Sequence, residues 1–301
     1  MTTMDTTESM NNKNNNNNED DMEKAPNLFM RLLRNRLAAI GLFVVALMVI
    51  TAIFAPWIAT HPPYEMDVTK TLLGIGSEGH LLGTDNYGRD IYSRLIYGSR
   101  VSLIVGVSAV LFGAIIGTIL GLVSGYFGGT LDSVIMRFMD GLFAFPFILL
   151  AITLMTVLGQ GLFNVILAVG IANIPGFARV IRGQVLSVKE EEFIEVTRSL
   201  GARHGRIIFQ HILPNSIAPL IVYGTMSVAG AIISEAALSF LGLGVQPPTA
   251  SWGSMLKEGK DFLVLNPHVA TVSGLAILIS VLGINLLGDG LRDALDPKMK
   301  L

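Results

Sequence analysis

The sequence predicts an all-α membrane protein with six transmembrane helices and one long cytoplasmic loop that contains a short helix. The first observation is composition: 51% of the 301 residues are apolar and 15% are charged, against about 25% charged in soluble domains. The second is that the apolar residues form charge-free runs at residues 37–59, 101–131 and 141–178. Each run is long enough to cross a bilayer, which takes about 20 residues.

Two polar ends flank the apolar region. Residues 1–26 include an asparagine run at residues 14–18 and few residues that could be buried, so we expect a disordered cytoplasmic tail. Residues 27–100 should hold the first span and an outer loop, and residues 101–288 the core of the membrane domain. Residues 289–301 are expected to form a C-terminal cytoplasmic tail.

Turn signals divide the apolar runs into six spans. We place these spans at about residues 38–59, 101–124, 141–158, 162–178, 217–238 and 269–288. The longest run exceeds one helix, and Gly159-Gln160-Gly161 is the expected turn. Pro146 should disturb the start of the third span and Pro175 the end of the fourth, because proline removes a helical hydrogen bond.

The distribution of basic residues predicts the orientation. With the N-terminus inside, fifteen of the 21 Lys and Arg residues fall in cytoplasmic segments. The positive-inside rule therefore favours both termini in the cytoplasm. The basic residues between Arg89 and Arg100 argue the other way locally, since they precede the second span on its outer side. Trp57 and Trp252, beside span ends, are expected to be interface anchors.

Several functions lack the residues they need. There is no cysteine, and the five histidines lack the His-Glu-x-x-His spacing, so no metal site is predicted. No phosphate-binding loop and no paired nucleophile and base occur, which predicts a chain that is not an enzyme. A net charge of -2 without a basic block argues against a nucleic-acid partner.

A glycine ridge runs along the second span. Gly113, Gly117, Gly121 and Gly125 recur every fourth residue and so share one helix face. In lipid, such a face lets another helix approach closely and gain van der Waals contact. The ridge predicts a span buried inside the protein, whether it serves as static packing or as a hinge or pore wall.

The cytoplasmic segment at about residues 179–215 predicts a compact protruding element. Residues 189–200 favour a helix with an apolar stripe, Gly201 interrupts it, and a helical pattern resumes until Pro214. Gly201 is expected to adopt a left-handed turn, which glycine alone adopts at low cost. The segment is either a solvated loop helix or a docking element, and loops of this length are usually functional.

This segment resembles the EAA loop of the membrane subunits of binding-protein-dependent ABC importers. That family has Glu-Ala-Ala, three residues, Gly, nine residues, Ile, one residue and Leu-Pro. Val196 and Thr197 stand where the family has two alanines, and His211 where it has isoleucine. The resemblance implies an ATPase-coupling loop made by Glu195, Val196, Thr197, Gly201, His211, Leu213 and Pro214. Glu195 would meet a basic residue or cap a helix end, or else remain a solvated carboxylate.

Two further motifs narrow the resemblance to the C-type permease of the dipeptide, oligopeptide and nickel branch. One is Leu-Gly-Thr-Asp-Asn-Tyr-Gly-Arg-Asp at residues 82–90, and the other is Leu-Ser-Phe-Leu-Gly-Leu-Gly-Val-Gln-Pro-Pro at residues 238–248. The likeness covers roughly residues 30–298. It implies the transmembrane fold of a type I ABC importer, a multi-pass protein in the inner membrane of a prokaryote.

The resemblance also implies the partners. It implies a second permease subunit in a heterodimer, two cytoplasmic ATPase subunits that hold ATP and magnesium, an extracytoplasmic solute-binding protein and the lipid bilayer. No cofactor is expected on this chain. The solute stays open among dipeptides, oligopeptides, nickel chelates and glutathione.

Further candidate residues lie toward the outer side. Asp85, Arg89 and Asp90 belong to the outer motif; Asp85 fits a turn and helix cap, or a contact with the solute-binding protein or the second permease. Glu235 lies near the outer end of the fifth span, where a carboxylate should face the translocation cavity or reach the membrane interface.

Two other functions compete with the importer. A secondary transporter driven by an ion gradient should have ionisable residues or broken helices at mid-membrane, and few ionisable groups lie in the spans. An intramembrane enzyme should have a nucleophile and base, which are not evident. The cytoplasmic segment favours the importer.

Overall fold

The computed structural model describes residues 32–33, 35–77 and 79–295. These residues are mainly helical. The helices are α1 (Arg36–Ile53), α2 (Ala55–Ile58), α3 (Ile91–Phe127), α4 (Gly129–Phe143), α5 (Phe147–Leu158), α6 (Leu162–Lys189), α7 (Glu192–Ser199), α8 (His204–Phe240), α9 (Trp252–Gly259) and α10 (His268–Leu295). Short 3-10 turns lie at Val68–Lys70 and Lys260–Phe262. The predicted tail at residues 1–26 lies outside the described residues.

Six membrane spans are present when one bent pair counts as a span. The helices α1, α3, α6, α8 and α10 are each long and apolar enough to cross. The sixth span is α4 with α5, which meet at an angle of 91°. Pro146 precedes α5 at this bend, as expected. Because α5 has 12 residues, it extends only about 18 Å, which is less than the hydrocarbon core of about 30 Å.

The helices of several predicted spans extend beyond the predicted bounds. The second begins at Ile91, the fourth continues to Lys189, and the fifth begins at His204. The reason is that leaving the hydrocarbon does not end a helix, and at residues 91–100 of α3 most residues are buried against the rest of the protein. Hydropathy locates the apolar part of a helix and leaves its continuation undetected.

Two prolines lie inside helices, and neither one ends its helix. Pro175 is buried within α6, which continues past it, and packing against α3 holds the helix together there. Pro214 lies within α8, directly after a π-helical turn at Ile207–Ile212. This wider turn relieves the clash between a proline ring and the carbonyl four residues earlier.

The centre of the protein is the α3–α6 pair, which makes the most extensive helix contact. A Cβ atom on Gly117 would lie 2.5 Å from the Cβ of Phe177 and 2.8 Å from the carbonyl oxygen of Ile174. The prediction that the glycine ridge buries the second span is confirmed. Around this pair, α8 contacts both helices and α10, and α1 lies against α10.

Polar groups fix several helix ends. Asn35 caps α1, Asp90 caps α3, and Ser251 forms a capping box at α9. The Arg100 guanidinium donates hydrogen bonds to the carbonyls of Ala52 and Ile53 at the end of α1. These contacts satisfy backbone groups that a helix leaves unpaired at its ends.

Candidate functional site

The helix α7 ends in a glycine turn. Gly201 has a φ of 82°, its N–H donates to the carbonyl of Arg198 at 3.0 Å, and the N–H of Ala202 donates to the carbonyl of Thr197 at 3.3 Å. This pair of hydrogen bonds is the Schellman motif, which closes a helix with a left-handed residue. The predicted turn at Gly201 is therefore present.

One side chain anchors α7 to the membrane helices. Ile194 is fully buried, and it is the only buried residue described on α7. It packs in a cluster that contains Ile207 and Ile212 of α8 together with the ends of α3 and α6. The anchor joins α7 to three long helices at once.

Hydrogen bonds stiffen the same region. Lys189 Nζ donates to the carbonyl oxygen of Tyr126 at 2.9 Å, and the Tyr126 hydroxyl lies 2.7 Å from His204 Nδ1. Tyr126 lies at the end of α3, Lys189 ends α6 and His204 begins α8. The ends of these three helices are thus tied together beside α7.

The outward side of α7 is apolar in part. Val196 is 58% exposed and Leu200 is 83% exposed. They line a surface recess of about 520 Å³ together with Glu192, Glu195 and Ser199. An exposed apolar patch beside acidic residues is typical of a protein–protein contact surface.

The residues that match the EAA motif lie before and after the turn at Gly201. Glu195 is exposed on α7, and the Thr197 hydroxyl donates to the carbonyl of Phe193 at 2.7 Å. On α8, His211 is half-buried beside the Phe193 ring, with ring centroids 6.2 Å apart. On the same helix, Leu213 packs against the cluster around Ile194, and Pro214 is exposed.

An ion pair that the sequence did not predict joins α4 to α6. Arg182 binds Asp132 in a bidentate manner, with both nitrogen–oxygen distances 2.7 Å. Arg179 and Asp140 add a second pair at 3.0 Å. The partners are 50 and 39 residues apart in the chain, so no local pattern signals them.

A cavity of about 590 Å³ opens between α6, α8 and α10. Its lining includes Gln184, Asn215, Tyr223, Met226 and Arg292. Most of its wall is apolar, with amide, hydroxyl and guanidinium groups placed around it. Sequence reasoning missed this cavity because its residues come from three helices that are distant in the chain.

The outer candidates Asp85 and Arg89 form a buried ionic network. Asp85 accepts hydrogen bonds from the N–H groups of Tyr87 and Arg89 and from Arg89 Nε, at 2.8, 3.0 and 2.7 Å. Glu258 of α9 accepts from Arg89 Nη2 at 2.6 Å and from Arg94 Nη2 at 3.3 Å. The turn expected at Asp85 is found, while the cap of α3 is Asp90. The side chains hold the outer loop to α9.

Asp90 is a buried carboxylate with a lowered pKa. Burial raises the pKa of Asp90, but hydrogen bonds from the Ser93 backbone and from the Ser93 and His80 side chains outweigh it. The pKa therefore lies below the ordinary value of 3.8, and the carboxylate stays ionised at neutral pH.

Neither expected environment of Glu235 is found. Its side chain is fully buried inside the chain, where it accepts a hydrogen bond from Ser239 at 2.8 Å. It lies in neither a cavity nor the interface because α3, α8 and α9 close around it.

Trp252 is not the interface anchor that the sequence predicts. It is 3% exposed, and its indole N–H donates to the carbonyl of Leu95 at 2.9 Å. Trp57 is exposed, as an anchor would be.

Two stretches of the chain match known family models. Residues 117–301 match the family described as binding-protein-dependent transport system inner membrane component. Residues 27–74 match the N-terminal TM domain of oligopeptide transport permease C.

Named relatives extend over most of the chain. The dipeptide transport system permease protein DppC of Alkalihalophilus pseudofirmus is 47% identical over 272 residues, which cover 90% of this chain and 89% of that protein. The glutathione transport system permease protein GsiD of Escherichia coli is 50% identical over 270 residues, with the same coverage.

A solved structure shares the fold. The MetNI methionine ABC transporter in an inward-facing conformation matches with a TM-score of 0.57 at 20% identity, over 68% of this chain and 98% of that one. The six-span bundle is thus that of a type I ABC importer transmembrane domain. With two family models and these relatives in agreement, the chain belongs to the binding-protein-dependent transport system inner membrane components, in the peptide and nickel branch of ABC importer permeases.

Proposed function

We propose that this chain forms half of the translocation pathway of an ATP-driven importer and that α7 couples it to a cytoplasmic ATPase. The observation that carries the coupling role is the contrast at α7: Ile194 is fully buried, while Val196 is 58% exposed and Leu200, directly after the helix, is 83% exposed. One side of the helix is fixed to the bundle and the other is available to a partner.

Coupling follows from this arrangement by rigid-body motion. Two ATPase subunits that close around ATP would push α7, and the tied ends of α3, α6 and α8 would tilt with it. ATP and magnesium would be held by those subunits, since this sequence has no phosphate-binding loop. Glu195, exposed beside Val196, is positioned to meet a basic residue of the partner.

The solute is proposed to be a peptide or a related small molecule. The relatives above are named for dipeptide and for glutathione transport, and both of those solutes carry amide, amino and carboxylate groups. The cavity between α6, α8 and α10, with its amides and Arg292, is chemically suited to such a solute on its way through. A second permease subunit would supply the other half of the pathway.

The proposed location is the inner membrane of a prokaryote, with both termini and α7 in the cytoplasm. The balance of Lys and Arg residues supports this orientation. An extracytoplasmic solute-binding protein would deliver the solute on the α9 side. The ion-gradient transporter is not favoured, because Glu235 is enclosed and bonded to Ser239 instead of facing a pathway.

Substitution at Gly201 tests the coupling role. An added Cβ there meets nothing within 4 Å, so the cost of substitution is conformational. A β-branched side chain in the left-handed region costs about 1–2 kcal/mol, while Asn visits this region more readily. We expect Gly201→Val to abolish solute uptake at a normal membrane level, and the matched Gly201→Asn to retain most of it. Normal uptake by Gly201→Val would disprove the coupling role.

A further inference from the structure

Three potential metal ligands converge in the loop that joins α2 to α3. They are His61, His80 and Asp90, and one ligand atom from each lies within 4.8 Å of the others. Asp90 Oδ1 is 2.9 Å from His80 Nδ1 and 3.9 Å from His61 Nδ1. The two imidazole rings stack with centroids 4.5 Å apart and planes at 26°. Both histidines thus present the same ring nitrogen toward one carboxylate oxygen.

One of the two Asp90 carboxylate oxygens is available to bind a cation. Its Oδ2 accepts the Ser93 N–H at 2.8 Å, which caps α3, and lies 3.3 Å from the Thr60 hydroxyl. Its Oδ1 faces the two histidines. A cation on Oδ1 would therefore leave the helix cap in place.

The donor set selects a class of ion. Two imidazole nitrogens and one carboxylate oxygen are typical ligands of Zn²⁺, and imidazole also suits Cu²⁺ and Ni²⁺. Three protein ligands leave a fourth tetrahedral position for water. His61 is the partly exposed member, with 36% of its side chain accessible, so water can reach that position.

The distances are near those of a bound ion. Ligand bonds of about 2.0–2.1 Å in a tetrahedral site put neighbouring ligand atoms roughly 3.3 Å apart. The His80–Asp90 distance of 2.9 Å must lengthen slightly, and the 3.9 Å between His61 and Asp90 must shorten. His61 is the residue that must adjust: its backbone N–H is held by Ser93 Oγ at 3.0 Å, and its Nδ1 lies 3.1 Å from the Thr60 hydroxyl, a contact that the ion would replace.

We propose that His61 Nδ1, His80 Nδ1 and Asp90 Oδ1 bind one divalent ion of the Zn²⁺ class. The ion fastens the segment after α2, the middle of the loop and the start of α3 to one another. The loop carries the Asp85 network that contacts α9, so the ion sets the rigidity of this whole face. The site does not depend on the proposed transport role.

Calorimetric titration with ZnCl₂ tests the site on the full-length chain in detergent, after tag removal and chelator treatment. The test variant is His61→Ala, which leaves the His80–Asp90 contact and the α3 cap intact. The matched control is His268→Gln, a histidine at the start of α10 and outside the cluster. We expect one Zn²⁺ per chain for the unmodified chain and the control, and at least about tenfold weaker binding for His61→Ala.

A thermal readout separates ligand loss from misfolding. Without metal, the unmodified chain and His61→Ala should unfold at the same temperature, and Zn²⁺ should raise that temperature only in the unmodified chain and the control. If His61→Ala lowers the metal-free unfolding temperature, His61→Gln replaces it in both measurements. Equal Zn²⁺ affinity with and without His61, or no saturable binding by the unmodified chain, would overturn the proposal.

Discussion

Replacing Ile194 by Ala should release α7 from the bundle without unfolding the protein. Ile194 is fully buried and is the only buried residue described on α7, and truncation of such a side chain costs about 2–5 kcal/mol. A helix of eight residues is not stable alone, since isolated helices need roughly 12–15 residues. Even the lower figure, about 2 kcal/mol, makes local opening about 30-fold more frequent.

Hydrogen exchange measures this opening directly. Amides of residues 192–199 in Ile194→Ala should exchange at least about tenfold faster, while amides in the α3–α6 core stay protected. Val196→Ala is the matched control, because Val196 is 58% exposed and its truncation removes little packing. Unchanged exchange of residues 192–199 in Ile194→Ala would refute the idea that this one side chain holds α7.

Three further substitutions test separate parts of the account. Gly117→Leu should lower stability by about 3 kcal/mol, the upper end for overpacking, because its Cβ would lie 2.8 Å from a backbone oxygen of α6; an unchanged unfolding temperature in detergent would contradict the close packing. Glu258→Ala should also cost about 3 kcal/mol, because it leaves Arg89 and Arg94 buried with less countercharge; Glu258→Gln keeps an acceptor but removes the charge and should lose nearly as much, and full stability of Glu258→Gln would argue against the ionic network. Leu200→Ser should weaken ATPase binding in a pull-down with the purified ATPase subunits, with no loss of unfolding temperature; undiminished binding would remove Leu200 from the docking surface.

The sequence could predict the spans because hydrophobicity is a local property. Apolar runs and turn signals located all six, and the period of four in the glycines identified the buried face of α3. The extensions of α3, α6 and α8 beyond the predicted spans could not be predicted, because hydropathy does not mark where a helix ends outside the membrane. Proline was a poor guide for a related reason: at Pro175 tertiary packing, and at Pro214 a π-helical turn, overrides its local effect.

The candidate site was predictable where residues are close in the chain. The turn at Gly201 follows from glycine within a polar helical segment. The pairing of Arg89 with Glu258 and the enclosure of Glu235 depend on contacts between segments that are distant in the chain, and their burial could not be read from spacing. His61 and His80 looked scattered in the sequence, yet the loop brings both to Asp90.

Reconstituted transport tests the central claim most directly. The chain would be placed in proteoliposomes with its permease partner, its ATPase subunits and its solute-binding protein, and uptake of a radiolabelled dipeptide or glutathione would be followed. The account predicts accumulation that requires ATP on the α7 side and is lost with Gly201→Val. Accumulation driven by a proton or sodium gradient in the absence of ATP would contradict it.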